Sequence, residues 1–148
     1  MEAEKRVLFK LESIQEEKFS KSDASVSKEV LRVQYLVETE VHPANDNIVV
    51  RSGVRYLVEE SIVCEMVLAI KFSIAEFHSV VSIDTASKKI SFTSNIIPTF
   101  LGITYGALRG ALFERVKDTT WESYPLPPMS ATELEKINHF RVINSAVD

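Results

Sequence analysis

Between Leu31 and Ile74 the chain alternates side-chain character in three runs of about a dozen residues, roughly twice the usual strand length. In the first run Leu31, Val33, Tyr35, Val37, Thr39 and Val41 alternate with Arg32, Gln34, Leu36, Glu38, Glu40 and His42. In the second, Ile48, Val50, Val54, Tyr56 and Val58 alternate with Val49, Arg51, Gly53, Arg55, Leu57 and Glu59. In the third, Ile62, Cys64, Met66, Leu68, Ile70, Phe72 and Ile74 stand opposite Val63, Glu65, Val67, Ala69, Lys71 and Ser73. A period of two puts each set on one face of a strand. Short turn segments, His42 to Asn47 and Val58 to Ser61, join the runs, so they predict a long antiparallel meander.

A shorter run from Arg6 to Ile14, with Val7, Phe9 and Leu11, predicts a fourth strand, and the polar residues 15–28 read as a flexible loop. The meander's second face carries Leu36, Val49, Leu57, Val63, Val67 and Ala69. Apolar residues at that frequency leave two readings open, ordinary surface or a face that meets a ligand or another chain.

Helical signals begin only after the strands. Ser94 or Asn95 can cap a helix that admits Pro98 in its first turn and runs to about Lys117. Ile97, Leu101, Tyr105, Leu108, Leu112 and Val116 share one side of it, while Gly102, Gly106 and Gly110 form a stripe on another, flanked by Ile103 and Phe113. An interior glycine costs about 1 kcal/mol against alanine, so three call for a compensating close approach. One sheet covers one side only, so a second copy is the expected cover for the other, with Gly102, Tyr105, Gly106, Arg109, Gly110 and Phe113 at the interface. A membrane span is the weaker reading, because the stretch is short and holds a proline and an arginine. Ser130-Ala-Thr-Glu133 is a capping box, with Met129 and Leu134 as its hydrophobic staple, and it opens a short last helix fraying near Ile143. Between the helices lies a proline-stiffened loop, Trp121 to Met129, and Ser79 to Phe92 suggests a hairpin around Asp84 to Lys89. Strands first and helices afterwards is an α+β order, here a four-stranded long antiparallel sheet followed by a long helix, a crossover loop and a short C-terminal helix.

With 148 residues, 45% apolar and 26% charged, the chain reads as a single globular domain over 1–148. A net charge of −4 argues against a nucleic-acid partner, which needs a basic footprint. One cysteine makes no internal disulfide and no leader-like segment opens the chain, so a cytoplasmic protein is expected.

Catalytic signals are sparse. His42, His78 and His139 lack metal-ligand spacing, and neither a phosphate loop nor a nucleophile elbow is present, so no metal and no cofactor is expected. Cys64 holds a core-facing position, where a buried thiol outweighs a catalytic one. Glu38, Glu40, Glu59, Glu60 and Glu65 read as a solvated face or a partner patch. Arg109 is a helix-pairing residue or a ligand anchor, and Trp121 and Tyr124 are core lids or ligand contacts.

The order of parts resembles the bacterial export chaperone SecB and its SecB-like relatives. The resemblance rests on Cys64-Glu65 followed by Phe72-Ser73-Ile74, and on Arg109-Gly110 within Leu108 to Phe113, then Leu126-Pro-Pro and Ala131-Thr-Glu-Leu134. It covers roughly residues 5–140 and is diffuse, matching in composition and order more than in any signature. It implies a homotetramer, a dimer of dimers with the long helices layered between two sheets, that binds unfolded polypeptides without ATP and is not an enzyme. It also implies that precursors pass to the translocase motor SecA, with Glu65 at the position where an acidic residue faces that motor. The groove does not transfer residue by residue; Leu36, Leu57, Val67, Trp121, Tyr124 and Leu126 are its candidates here.

Two departures bear on the expectation. The export chaperone is strongly acidic with an acidic tail, whereas this chain ends Arg141-Val-Ile-Asn-Ser-Ala-Val-Asp148. SecB-like relatives also protect antitoxins of toxin–antitoxin systems, which is the alternative role. A different class is a hot-dog thioesterase, although that fold usually sets its long helix before most of the sheet.

Overall fold

Alternation is realised as long strands in a computed structural model that describes residues 7–22, 30–84, 86–87 and 89–143. Strands β1 (Phe9–Lys21), β2 (Leu31–His42), β3 (Asn47–Val58) and β4 (Ser61–Ile74) precede a turn of helix, α1 (Phe77–Val80), and a small hairpin, β5 (Val81–Asp84) and β6 (Lys89–Phe92). The long helix α2 (Ile96–Arg115), a short helix α3 (Ala131–Ile137) and a last strand β7 (His139–Val142) follow. β2, β3 and β4 form the expected antiparallel meander, and β1 lies outside β4.

The sheet has five strands among the described residues, not four, in the order β1-β4-β3-β2-β7. The fifth is β7, which runs parallel to β2. Sequence reading carried the last helix to Ile143; it ends at Ile137 because Asn138 turns to extended backbone, φ −63° and ψ 134°. His139-Phe-Arg-Val142 then suits an edge strand better than a helix.

β1 also differs from expectation. It continues to Lys21 through residues read as loop, while Arg6 and residues 23–28 lie outside the described residues. Two irregularities in its pairing with β4, between Leu11 and Ser13 and between Glu16 and Lys18, explain the miss. Each extra residue flips the parity of those that follow. Phe9 and Leu11, then Ile14, then Phe19 therefore pair opposite the core-facing β4 residues Ile74, Phe72, Ile70 and Met66, although their numbers alternate between odd and even.

One core lies between the sheet and α2. Val37, Val41, Ile48, Val50, Val54, Met66, Ile70 and Phe72 meet Phe100, Leu101, Leu108 and Leu112, each nearly inaccessible. Phe72 and Phe100 stack at 4.0 Å between ring centroids, and Phe9 meets Phe100 edge-on at 4.9 Å. The side of α2 read as apolar from its periodicity is the buried one: Ile97, Leu101, Tyr105, Leu108, Leu112 and Val116 are all buried. The hairpin around Asp84 to Lys89 is also present, with Thr85 and Lys88 outside the described residues.

Candidate functional site

The crossover loop between α2 and α3 is positioned through its backbone carbonyls. Prolines at 125, 127 and 128 supply no N–H, so this stretch cannot build a ladder of its own. Side chains from the sheet and helix donate instead. Tyr56 donates to the Tyr124 carbonyl at 2.8 Å, Arg109 Nε to that of Leu126 at 3.2 Å and Tyr105 to that of Pro127 at 2.6 Å. Trp121 sits in a turn of 3-10 helix, Thr120–Ser123, whose first residues are held by the Thr119 hydroxyl. Its indole Nε1 donates to the Ser22 carbonyl at 2.9 Å, and its ring centre lies 5.5 Å from that of Tyr56. Burial pushes the Tyr56 hydroxyl well above its ordinary pKa and Tyr105 up to about 12, so both remain neutral donors at physiological pH.

Pinning the loop beside the helix leaves a groove of about 340 Å³ between them. Gly106, Gly110 and Phe113 form its helix wall, and Trp121, Tyr124 and Leu126 its loop wall. Trp121 and Leu126 are buried and make the floor, whereas Phe113 is 50% exposed and stands at the rim. Arg109 and Glu122 also line it, giving one charge of each sign to a mainly apolar site.

The sequence-derived groove set divides between the two faces of the sheet. Trp121, Tyr124 and Leu126 lie with α2, while Leu36, Leu57 and Val67 lie on the opposite face, as their parity requires. Leu57 and Val67 are buried there and Leu36 is partly exposed. A dent of about 150 Å³ lies beside Leu36, Gly53 and Val67. Gly53 lines it, and a Cβ there would come within 2.9 Å of Val67 Cγ2, so a larger residue would force a shift. A single groove containing all six residues is not what the fold builds.

Of the six residues expected at an interface, Gly102, Gly106, Arg109, Gly110 and Phe113 are exposed. A Cβ at any of those three glycines would meet nothing within 4 Å. Tyr105 points inward instead, buried and bonded to the crossover loop, as its place on the apolar side of the helix demands. α2 is long and apolar enough to cross a membrane by length and composition, and 44% of its 18-residue apolar stretch is buried in the fold. Arg109 is neither buried nor paired with a second helix in the single chain; it ties α2 to the loop.

Glu65, the acidic residue expected to face a partner, accepts from Arg55 Nε at 3.1 Å, with 15% of its side chain exposed. The stronger acidic centre, which spacing alone did not single out, is Glu40. Its side chain is 7% exposed and meets His42 Nε2 at 3.2 Å, Arg141 Nη2 at 2.8 Å and the Arg51 guanidinium. Burial raises its pKa, but the attraction of Arg51, hydrogen bonds from His42 and Arg51 and the charge of Arg141 outweigh it, leaving the carboxyl below its ordinary value. Arg51 in turn bonds Glu17 at 2.7 Å, where the second β1 irregularity delivers that side chain to the sheet face.

Cys64 is fully buried, and burial pushes its thiol up to about 11, far from a nucleophile's range. Among the described residues no group of three or more His, Cys, Asp or Glu is placed to hold a metal ion. His78 is exposed beside Asp46, and His139 is exposed on β7.

No family model matches the chain, and no curated protein does. Among solved structures, a Mycobacterium tuberculosis SecB-like chaperone in complex with a ChAD peptide from the HigA1 antitoxin is similar over 82% of this chain and 84% of that one, with 16% identity and a TM-score of 0.46.

Proposed function

We propose that the chain is an ATP-independent holding chaperone that binds unfolded polypeptides. The groove between α2 and the crossover loop is the observation that carries the reading: it is apolar at the floor, open at the Phe113 rim and held in shape by hydrogen bonds to the loop carbonyls and by burial of Trp121 and Leu126 in the core. Such a site accepts a bulky apolar side chain presented by an extended chain and asks little about sequence. Binding only the unfolded form then holds it by mass action, with no nucleotide required.

The exposed glycine stripe of α2 supports self-association centred on its Gly102 end, because Gly106 and Gly110 wall the groove, in keeping with the dimer of dimers that the SecB-like resemblance implies. Several grooves on one oligomer would give avidity to weak contacts. A cytoplasmic setting and a role in protein export with handover to SecA follow from the same resemblance. Holding a dedicated client, such as an antitoxin, is the alternative role that the SecB-like resemblance suggests. The test is binding of a reduced, permanently unfolded polypeptide against its native form without nucleotide. Preference for the unfolded form supports holding, and added SecA or antitoxin then separates the two roles. Saturable turnover of an acyl thioester with no such preference would move the chain to the thioesterase class.

A further inference from the structure

β7 is held on the sheet in an unusual way for a terminal strand. It has four residues, and His139, Phe140 and Arg141 are all exposed, so little apolar burial fastens it. It pairs with β2 from Glu38 opposite His139 to Val41 opposite Val142, in the parallel sense, which is slightly weaker per residue than antiparallel pairing. Ile143 N–H donates to the Val41 carbonyl at 2.9 Å, and the Thr39 hydroxyl donates to Asn138 Oδ1 at 2.8 Å. The remaining fastening is one aromatic contact, half-buried Phe140 against Phe92 at 5.9 Å between ring centroids, and charge. Arg141 lies 2.8 Å from Glu40 Oε2 and 3.2 Å from Glu38 Oε1, the second contact falling short of hydrogen-bond geometry. The Arg141 side chain is 59% exposed, so salt reaches it.

We propose that β7 is a releasable strap, and that its opening frees the Glu38–Val41 edge of β2 for an extended segment of the client polypeptide. Occupant and register come from the ladder already there: this edge pairs with a strand whose side chains alternate and whose third residue is a cation facing Glu38 and Glu40. A client segment with a basic residue between apolar ones satisfies the same groups. Towards the start of β2, Leu31–Val37 has no outer partner strand among the described residues, so a client strand is able to run further along the edge than β7 does. Strand pairing would add affinity at the edge to the side-chain capture proposed for the groove, and the inference rests on that chaperone reading.

Two measurements on the full chain decide it. The first is native-state hydrogen exchange at low and high salt. Amides of His139–Ile143 are expected to exchange at least about tenfold faster than those of Val50 and Val54, and faster again in salt or in Arg141→Gln. Exchange at the rate of β3, indifferent to salt and to Arg141→Gln, would overturn the strap. The second is a Glu38→Cys, His139→Cys pair, oxidised to lock β7 and compared with its reduced form in binding a permanently unfolded polypeptide. Weaker binding by about fivefold or more on oxidation is expected, and equal binding would overturn the client's use of the edge. If neither the wild type nor the reduced pair binds unfolded chain at all, the chaperone reading fails with the client half of this one, while the exchange data still judge the strap.

Discussion

The Tyr105 hydroxyl donates to the carbonyl of Pro127 at 2.6 Å, so a residue from the buried side of α2 fixes the crossover loop on the far side of the groove. Tyr105→Phe leaves the packing in place and removes only this donor. It is expected to cost about 1 kcal/mol in denaturant unfolding and to weaken capture of an unfolded chain, because the Pro127 carbonyl loses its anchor. A loss of stability with unchanged binding would separate the loop's position from the groove's use.

Glycines in this chain serve two different purposes, and alanine distinguishes them. Gly102, Gly106 and Gly110 meet no neighbour in the single chain, so alanine at each is expected to stabilise the isolated helix by about 1 kcal/mol. If the stripe is a surface for a second copy, the triple variant loses self-association in sedimentation while its monomer unfolds later. Gly53→Ala is expected to do the opposite, lowering stability, because its Cβ meets Val67 at 2.9 Å and the Met66 carbonyl at 3.3 Å.

Acid is expected to weaken the sheet face around Glu40. Burial raises its carboxyl pKa, but Arg51, His42 and Arg141 leave the net value below that of the unfolded chain. Its contribution is therefore present above the ordinary carboxylate pKa and is lost as pH falls through the lowered folded value. Glu40→Gln is expected to lower stability at neutral pH by about 2 kcal/mol and to flatten the acid limb of a stability–pH curve. An acid limb identical to that of the wild type would contradict this assignment.

Alkali acts through the core. Cys64 titrates near 11 because burial disfavours the thiolate, so its stabilising effect is present below the unfolded thiol's pKa and lost as pH rises from about 9 to about 11. At pH 7.5 the thiol is expected to resist alkylation until the chain unfolds, its modification rate tracking denaturant. Rapid labelling of the native protein would place Cys64 outside the core.

Much of this was legible in the sequence, and the reasons are particular. Period-two runs gave most core-facing residues of β2 to β4 because long strands repeat their signal many times, and Leu101, Tyr105, Leu108 and Leu112 gave the buried side of α2. Ile62 and Val63 are the exception: an irregularity after Tyr56 sets Ile62 opposite Leu57, 43% exposed, and turns Val63 to the core. β1 was misread beyond Ile14 because its two irregularities reset the parity, hiding Phe19 among charges. β7 was missed because four residues are too few to show a period, and because its reason for forming lies in Glu38 and Glu40, about a hundred residues away. The groove was half legible: Trp121, Tyr124 and Leu126 stood out in a proline-rich loop. Parity places Leu36, Leu57 and Val67 on the second face of the sheet, but nothing in the strands shows that the crossover loop packs with α2 on the first.

The most direct measurement of the central claim is the affinity of a reduced, permanently unfolded polypeptide, without nucleotide, for the wild type and for Phe113→Ser. Phe113 stands half exposed at the groove rim, so its replacement should leave the fold and its melting temperature nearly unchanged. The wild type is expected to bind the unfolded form and ignore the native one, and Phe113→Ser to bind about tenfold more weakly. Equal affinity of the two proteins for the unfolded chain would contradict the groove as the site, and wild-type indifference to folding state would contradict the chaperone itself.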